Sequence, residues 1–327
     1  MNAVKQRARK VLSWAAFPSL VLLLLVLIIN SFVTNNAWKP SLIASFLNTN
    51  AMTVCVSIGV TVVILTGGID ISLGALVSMC NVMAVRLMTG GMPYYWAVLI
   101  TLAAATAAGL FNGTIVACLK VTPLLTTYAT STIFAGLALL ILPTPGGTID
   151  TTLLLAFYKK PLGIPIVVFW VAAVVLIWKL YKRTPNGLKL YATGNNESKA
   201  FLSGINVRKV KLFAYAFSGF ASGVGALCMT CMIGAGDPLI GSSVGMTAIS
   251  GAVIGGVSLS GGKGDVVGSI LGCLFLGYLT NLIVALKFDA YSQTLLKALI
   301  LLLCVILSIL VSKQREKKGV KPHAKRR

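Results

Sequence analysis

Residues 65–74, LTGGIDISLG, contain the strongest candidate for a chemically active side chain, because they place a carboxylate between two long apolar runs. Asp70 is the only acidic residue within or beside an apolar run. At membrane depth a carboxylate is costly unless it is paired or hydrated, which makes Asp70 a candidate for contact with a solute or for coupling. The alternative is structural: its carboxylate accepts an N–H bond from Ser72 or Leu73 and caps the helix that follows. The sequence is consistent with both roles of Asp70.

Catalytic and metal-binding patterns are weak elsewhere in the chain. Cys228 and Cys231 have CxxC spacing, but no second pair accompanies them, and the single histidine, His323, lies in a basic tail. All seven cysteines fall in apolar runs, which favours small apolar core residues over redox or metal chemistry. No Walker A sequence occurs. We therefore predict no catalytic residue, no metal site, no cofactor bound by this chain and no enzymatic activity of its own.

The elements that would position these residues are membrane helices. Hydrophobic residues make up 57% of the chain and charged residues 11%, and the mean hydropathy is +0.91. The hydrocarbon core of a bilayer, roughly 30 Å thick, is crossed by about 20 apolar residues in a helix. We therefore predict an all-α polytopic membrane protein with about ten transmembrane helices in a single domain over 1–327. The predicted spans are 13–33, 42–65, 70–89, 93–118, 122–142, 164–180, 212–232, 244–259, 266–286 and 291–311.

Basic residues fix the expected orientation. The net charge of +21 is concentrated in residues 1–12, 181–211 and 312–327. Loops rich in Lys and Arg stay on the cytoplasmic side, so both termini and the 181–211 loop are expected there. Contact with anionic lipid is expected, and nucleic-acid binding is not. Spans two and eight are the least regular, because polar residues and glycines crowd their ends, and either could be broken or re-entrant.

The chain contains an internal pseudo-repeat built on glycine. Residues 253–264, VIGGVSLSGGKG, resemble the opening motif when it is shifted by 188 residues. Both strings are expected to form turns between two spans, where glycine permits a tight bend and close helix contact. Internal repeats are typical of transporters. The matched residues are Gly67, Gly68, Ser72 and Gly74 in the first string and Gly255, Gly256, Ser260 and Gly262 in the second.

The 181–211 loop is the longest polar stretch between spans. Its centre, TGNNESKAFLSGI, has asparagines suited to capping, and a short helix is predicted from Glu197 to Ser203 with Gly204 as its stop. Ala200, Phe201 and Ile205 would give this helix a small apolar face. Such a helix outside the membrane is expected to dock on a cytoplasmic partner; the alternative is a solvated loop.

Four ordered motifs carry a family resemblance over about residues 42–311. GNNESKAFLSGI resembles the coupling loop of bacterial ATP-binding-cassette (ABC) import permeases, in particular the ribose-type simple-sugar group. LTGGIDISLG, FNGTIVACLKVTPLLTTYAT and VIGGVSLSGGKGDVVGSILG resemble three further motifs of that group. The sequence departs from the group in GSSVGMTAIS, which lacks the usual acidic residue. On this resemblance the ATPase-coupling residues are Gly194, Asn195, Glu197, Ala200, Ser203 and Gly204.

The resemblance implies a transmembrane permease of an ABC importer in the bacterial cytoplasmic membrane. It implies a second permease subunit, identical or different, and a cytoplasmic subunit that binds ATP and Mg. It also implies an extracytoplasmic binding protein that delivers the solute, expected to be a monosaccharide. A nucleoside or a branched-chain amino acid is the alternative cargo. An ion-coupled secondary transporter is the alternative class, disfavoured because no partner for Asp70 is visible.

Polar residues within or near the spans could line a solute path. The alternative for each is a hydrogen bond between helices. The candidates are Asn48, Asn81, Asn112 and Thr126.

Overall fold

The computed structural model describes residues 16–34, 38–289, 291–293, 295–296, 298–300, 302–303 and 306. The predicted basic segments 1–12 and 312–327 lie outside these residues, and the predicted last span, 291–311, is described only in part. Within the described residues the regular secondary structure is helical, apart from an isolated β-bridge between Gly146 and Gly236. The predicted all-α fold is confirmed.

The predicted spans from 13–33 to 266–286 each coincide with a helix, with ends that agree within a few residues. A 3₁₀ turn, Pro161–Gly163, follows the sixth helix. The helices are Phe17–Val33 (α1), Pro40–Leu65 (α2), Leu73–Thr89 (α3), Tyr94–Cys118 (α4), Pro123–Ile141 (α5), Thr151–Tyr158 (α6), Ile166–Lys182 (α7), Pro185–Asn195 (α8), Glu197–Leu202 (α9), Val207–Ile233 (α10), Val244–Ile254 (α11) and Val266–Ala285 (α12).

Among the described residues, five helices are long and apolar enough to cross a membrane: α2, α4, α5, α10 and α12. The chain is thus a multi-pass membrane protein. α2 is continuous over 26 residues and is largely buried among the other helices. The idea that the second span is broken is therefore wrong, because polar side chains such as Thr49 and Asn50 bond to carbonyls of their own helix instead of interrupting it.

The eighth predicted span is shorter than a membrane crossing. α11 has 11 residues, and at 1.5 Å per residue it covers about 17 Å, roughly half of a hydrocarbon core. It is held against α2, where the Ser57 hydroxyl donates to the carbonyl of Ala248 at 3.0 Å. The expectation that this span is partly re-entrant agrees with this length.

The segment before α11 runs back along α3. The Asn81 side chain donates to the carbonyl of Ala235 at 3.2 Å, and two helical turns earlier in α3 Gly74 is close-packed against Gly241. Between them, the amide of Gly241 donates to the Ser78 hydroxyl at 2.9 Å. The chain therefore returns into the bundle as a non-helical strap, and α11 begins beside the first turn of α3.

α10 is the central helix and packs against α2, α3 and α4. Where it crosses α4, a side chain at Gly219 would overlap the carbonyl of Ala105. Small residues let membrane helices approach closely, because lipid supplies no hydrophobic drive for helix association. This crossing sets the position of Tyr215, one turn earlier in α10, against Gly68 in the connection between α2 and α3.

Candidate functional site

The first glycine turn, residues 66–68, ends α2. Gly67 has a φ of +83°, its amide donates to the carbonyl of Ile64 at 2.8 Å, and the amide of Gly68 donates to Val63 at 3.3 Å. This is a Schellman-type end, which needs a residue that tolerates the left-handed conformation. A side chain at Gly68 would lie 2.9 Å from the hydroxyl of Tyr215. The two glycines therefore have different roles, one conformational and one steric.

The second glycine turn, residues 255–257, ends α11 in the same way. Gly256 has a φ of +84° and donates to Val253 at 3.0 Å, and Val257 donates to Ala252 at 3.1 Å. Gly67 is therefore equivalent to Gly256, which is a shift of 189 residues. The sequence alignment, shifted by 188, is displaced by one residue because neighbouring glycines cannot be told apart by identity. Gly255 has a helical φ of −66° and packs on the backbone of Gly268.

The first glycine turn and the loop that follows the second one, residues 258–264, meet at the coupling loop. The amide of Gly262 donates to the carbonyl of Leu65, at the end of α2, at 3.1 Å. Gly194 lies in this contact: a side chain there would overlap the carbonyl of Leu65 and lie 2.6 Å from the nitrogen of Gly262. A side chain at Gly261 would lie 2.7 Å from the carbonyl oxygen of Gly194. Three segments that are distant in sequence thus touch backbone to backbone. We call this contact the glycine junction.

The short helix predicted in the coupling loop is present as α9. The Asn196 side chain accepts the amide of Lys199 at 2.9 Å and so caps its start. Gly204, with a φ of +79°, follows its end, and the amide of Ile205 donates back to Ala200 at 3.1 Å. Local capping chemistry therefore defines both ends of this helix. Asn195 is the last residue of α8 and precedes the cap.

The predicted apolar face of α9 is split. Ala200 is buried, whereas Phe201 and Leu202 are 70% and 82% exposed. The placement of Phe201 on the same face as Ala200 is wrong, because adjacent residues point about 100° apart on a helix. Glu197 pairs with Lys211 at the start of α10 at 2.7 Å and holds α9 in place. Phe201 and Leu202 are thus exposed at the end of the helix bundle that carries the polar loop 181–211. We call this end of the bundle the loop end.

An ion pair at the loop end joins the end of α7 to the start of α12. The ammonium of Lys182, the last residue of α7, lies 2.8 Å from Asp265 Oδ2, and the other oxygen of Asp265 accepts the amide of Val266 and caps α12. The Tyr191 hydroxyl of α8 donates to the carbonyl of Gly264 at 3.1 Å, and Lys182 Nζ lies 5.6 Å from the Tyr191 ring centre. Burial raises the pKa of the Tyr191 phenol, so it remains a neutral donor at neutral pH. We call Lys182, Tyr191 and Asp265 the latch.

Asp70 is completely buried below the first glycine turn. Its Oδ1 accepts the amide of Ser72 at 3.0 Å and the hydroxyl of Ser72 at 2.6 Å. The Ser72 hydroxyl in turn accepts from the Asn112 side chain of α4 at 2.9 Å. α3 begins at Leu73, directly after Ser72, so Asp70 fixes the approach to the helix while Ser72 occupies the cap position. In this conformation its carboxylate has no contact with solvent.

The four predicted path residues differ in their surroundings. Asn81 is buried and fully engaged: it donates to Thr230 at 2.8 Å and accepts the amide of Asp237 at 2.7 Å. Asn112 is buried in the bond to Ser72 described above, and Thr126 is also buried. Asn48 is partly buried. Asn81 and Asn112 thus make the helix-to-helix bonds that were the alternative. A path-lining role for the four stays a prediction.

Polar groups are also exposed on α5 and just before α11. Ile71 connects the two helices, because its amide donates to Thr127 of α5 at 3.3 Å and its carbonyl lies close to Gly245 of α11. Tyr128 of α5 is 66% exposed, and Ser243, just before α11, is also exposed. We call the surface of Tyr128, Ile71 and Ser243 the α5–α11 face. Sequence reasoning missed Ser243 and the latch residues; the serine pair in GSSVG was the only local signal.

Comparison with known protein families matches residues 42–306 to the family described as branched-chain amino acid transport system / permease component. The ribose import permease protein RbsC of Haemophilus influenzae is 33% identical over 295 residues, covering 88% of this chain and 91% of that protein. RbsC of Bacillus subtilis is 33% identical over 296 residues, covering 89% and 91%. The D-allose transport system permease protein AlsC of Escherichia coli strain K12 is 31% identical over 269 residues, covering 81% and 82%.

Among solved structures, a metal-chelate type ABC transporter in an inward-facing conformation aligns with 91% of this chain and 98% of its own at 16% identity, with a TM-score of 0.46.

Substitution of Gly194 by alanine is expected to open the glycine junction. The added methyl group would overlap the carbonyl of Leu65, and both neighbours are backbone atoms that cannot move aside as a side chain can. The protection of the Gly262 amide depends on its bond to that carbonyl. Hydrogen–deuterium exchange of a peptide covering 258–264 should therefore become at least about tenfold faster. Gly136→Ala, where a methyl group would meet nothing within 4 Å, is the control; equal exchange in both variants would contradict this account.

Proposed function

Because the chain belongs to the family of branched-chain amino acid transport system permease components, we propose that it is the transmembrane subunit of an ABC importer that brings a monosaccharide into the cytoplasm. The observation that carries the proposal is the glycine junction, at which a loop suited to docking a partner contacts the end of α2 and the loop between α11 and α12. A movement of that loop would act on α2, α3, α11 and α12 together. The junction therefore suits a subunit that converts a partner's motion into rearrangement of membrane helices.

The loop end is the proposed cytoplasmic side. The 181–211 loop is rich in Lys and Arg, as cytoplasmic loops are. α9 presents Phe201 and Leu202 there, a pair whose exposure suits burial against a partner protein. We assign this partner as the ATP-binding subunit, which would supply ATP and Mg. A second permease subunit, an extracytoplasmic binding protein and a cytoplasmic location for both termini complete the proposal.

The proposed solute path follows the α5–α11 face. Polar groups that are exposed at membrane depth are satisfied by a water-filled path or by another protein, because lipid offers no hydrogen bonds. The relatives named for ribose and D-allose transport support a monosaccharide. Neither α5 nor α11 contains a charged residue. This favours a neutral polyol over the zwitterionic amino acid that the family description would suggest, because a zwitterion needs charged partners when it leaves water.

Uptake by a reconstituted assembly tests the proposal. The chain is placed in liposomes with its ATP-binding subunit and its binding protein, and uptake of labelled ribose and allose is measured with ATP and with a non-hydrolysable analogue. Uptake of at least one sugar is expected only with ATP and the binding protein. Leucine is the matched amino acid probe. Preferential uptake of leucine would show that the transported solute is an amino acid and not a monosaccharide. Uptake driven by an ion gradient without ATP would overturn the assignment to ABC importers.

Substitution of Phe201 or Leu202 by aspartate is expected to weaken binding of the ATP-binding subunit at least about tenfold, as for an apolar anchor at an interface centre. Both side chains are exposed, so the permease itself should remain folded. Binding is measured by surface plasmon resonance on the permease in nanodiscs. Leu162→Asp is the control, since Leu162 is 94% exposed and lies away from the coupling loop. Unchanged affinity in all three variants would show that α9 is not the docking element.

Breaking the latch is expected to lower the sugar imported per ATP hydrolysed several-fold while the protein remains stable. The ion pair is partly exposed, and such pairs contribute no more than about 1 kcal/mol to stability. Asp265→Asn keeps the cap of α12, because asparagine also caps, but removes the charge that faces Lys182. Uptake and hydrolysis are measured in parallel.

Two further variants separate the latch from a general effect of charge. Lys189→Met removes an exposed lysine of α8 whose ammonium, within the described residues, bonds to Asn186 alone at 3.4 Å, and this variant should behave as wild type. Exchanging the two residues in a double variant, Lys182→Asp with Asp265→Lys, should restore part of the lost sugar import per ATP hydrolysed. A wild-type amount of sugar imported per ATP in Asp265→Asn would show that the latch has no part in coupling.

A further inference from the structure

A cleft of about 290 Å³ lies between the end of α1, the start of α2 and the end of α12. It is distant from the glycine junction: Ser45 lines it, and Ser45 is separated from Leu65 by about 30 Å along α2. It also lies away from the α5–α11 face, since neither α5 nor α11 contributes to its wall. The cleft is thus separate from the region proposed for transport.

Hydrogen-bonding groups from three helices converge on this cleft without using their full capacity. Asn30 of α1 is only 7% exposed; its Oδ1 accepts the hydroxyl of Thr34 at 2.8 Å, and its Nδ2 has no partner within the described residues. The Asn281 amide and the Tyr278 hydroxyl of α12, and the Ser45 hydroxyl of α2, also lack a partner there. Polar groups that lack a protein partner in a cleft are stabilised when a ligand supplies the missing hydrogen bonds.

The wall of the cleft also contains an aromatic pair. Phe46 and Tyr278 stack with ring centroids 3.7 Å apart and an angle of 22° between the rings. Among the described residues that line the cleft, none is charged. Amides and hydroxyls beside an aromatic surface suit a ligand with several hydroxyl groups and apolar C–H faces, and the lack of charge disfavours a free ion.

The position of the cleft indicates how such a ligand would reach it. Trp38, near the start of α2, is 59% exposed, and its indole N–H donates to Ser31 at 2.9 Å. Tryptophans with one polar contact are typical of the membrane–water interface. The outward surface of α1 is apolar, with Leu25, Ile28 and Phe32 exposed, as expected for lipid contact. The cleft therefore opens at the depth of lipid headgroups.

We propose that this cleft binds a neutral polyhydroxy group, provided by the glycosyl headgroup of a membrane lipid or by a free sugar. The two amides and the two free hydroxyls supply the hydrogen bonds, and the ring pair supplies the apolar contact. This site does not depend on the transport assignment, because none of its residues belongs to the glycine junction, the latch or the α5–α11 face.

Thermal unfolding of the full chain in nanodiscs tests the site. The discs contain phosphatidylethanolamine alone, or with increasing glucosyldiacylglycerol, or with unglycosylated diacylglycerol; a fourth set receives free glucose in the buffer. The glycolipid or free glucose should raise the unfolding temperature in a saturable way, and diacylglycerol should not. Whichever of the two acts at the lower concentration identifies the source of the polyhydroxy group.

Variants locate the effect in the cleft. Asn281→Leu removes an exposed amide while keeping the number and branching of side-chain heavy atoms, and it should raise the half-saturating concentration at least about tenfold. Ser45→Phe should fill the cleft and abolish the shift. Thr280→Val is the control, because the Thr280 hydroxyl bonds within its own helix to Leu276 and does not line the cleft. The absence of a shift with both ligands, or equal shifts in wild type and Asn281→Leu, would overturn the proposal.

Discussion

The arrangement of this molecule depends on one backbone contact, in which the Gly262 amide meets the Leu65 carbonyl beside Gly194. A single hydrogen bond of this kind is worth only about 0.5–1.5 kcal/mol. Its importance is geometric, because it requires three chain segments to approach with no side chain between them. Once that approach is made, the ends of α2 and α8 and the loop before α12 have fixed positions relative to one another. The latch and the α9 helix then occupy the space around this contact.

Local features of this region could be read from the sequence, because their causes are local. Asn196 and Gly204 define α9 through bonds that span three to five residues, and that range is visible in a short string. The apolar runs likewise predict most helices, since burial in lipid requires length and composition more than a particular partner. The orientation of Phe201 could not be read, because a six-residue helix is too short to show a periodic pattern.

Long-range features could not be predicted in the same way. The sequence gives no sign that Lys182 and Asp265 pair, since each is an ordinary charged residue in a polar segment between predicted spans. The contact of Gly194 with Leu65 and Gly262 could not be predicted either, although each of the three segments carries its own sequence motif. The half-length of α11 results from the strap that follows α10, whose bonds to Asn81 and Ser78 are tertiary. In these cases the structure is determined by tertiary contacts with distant residues, which the local sequence does not reveal.

The two halves of the pseudo-repeat share a backbone turn but place their carboxylates differently. Six residues lead from Gly67 to Leu73 at the start of α3, whereas ten lead from Gly256 to Val266 at the start of α12. The longer connection brings Asp265 to the loop end, where Lys182 neutralises it while it caps α12. The shorter one keeps Asp70 inside the bundle, where Ser72 is its hydrogen-bond donor and links it to Asn112. Movement of the coupling loop would therefore act on a partly exposed ion pair in one half and on a buried hydrogen-bond network in the other. Because a buried polar network resists partial disruption more than a partly exposed ion pair does, the connection between α11 and α12 is expected to move first.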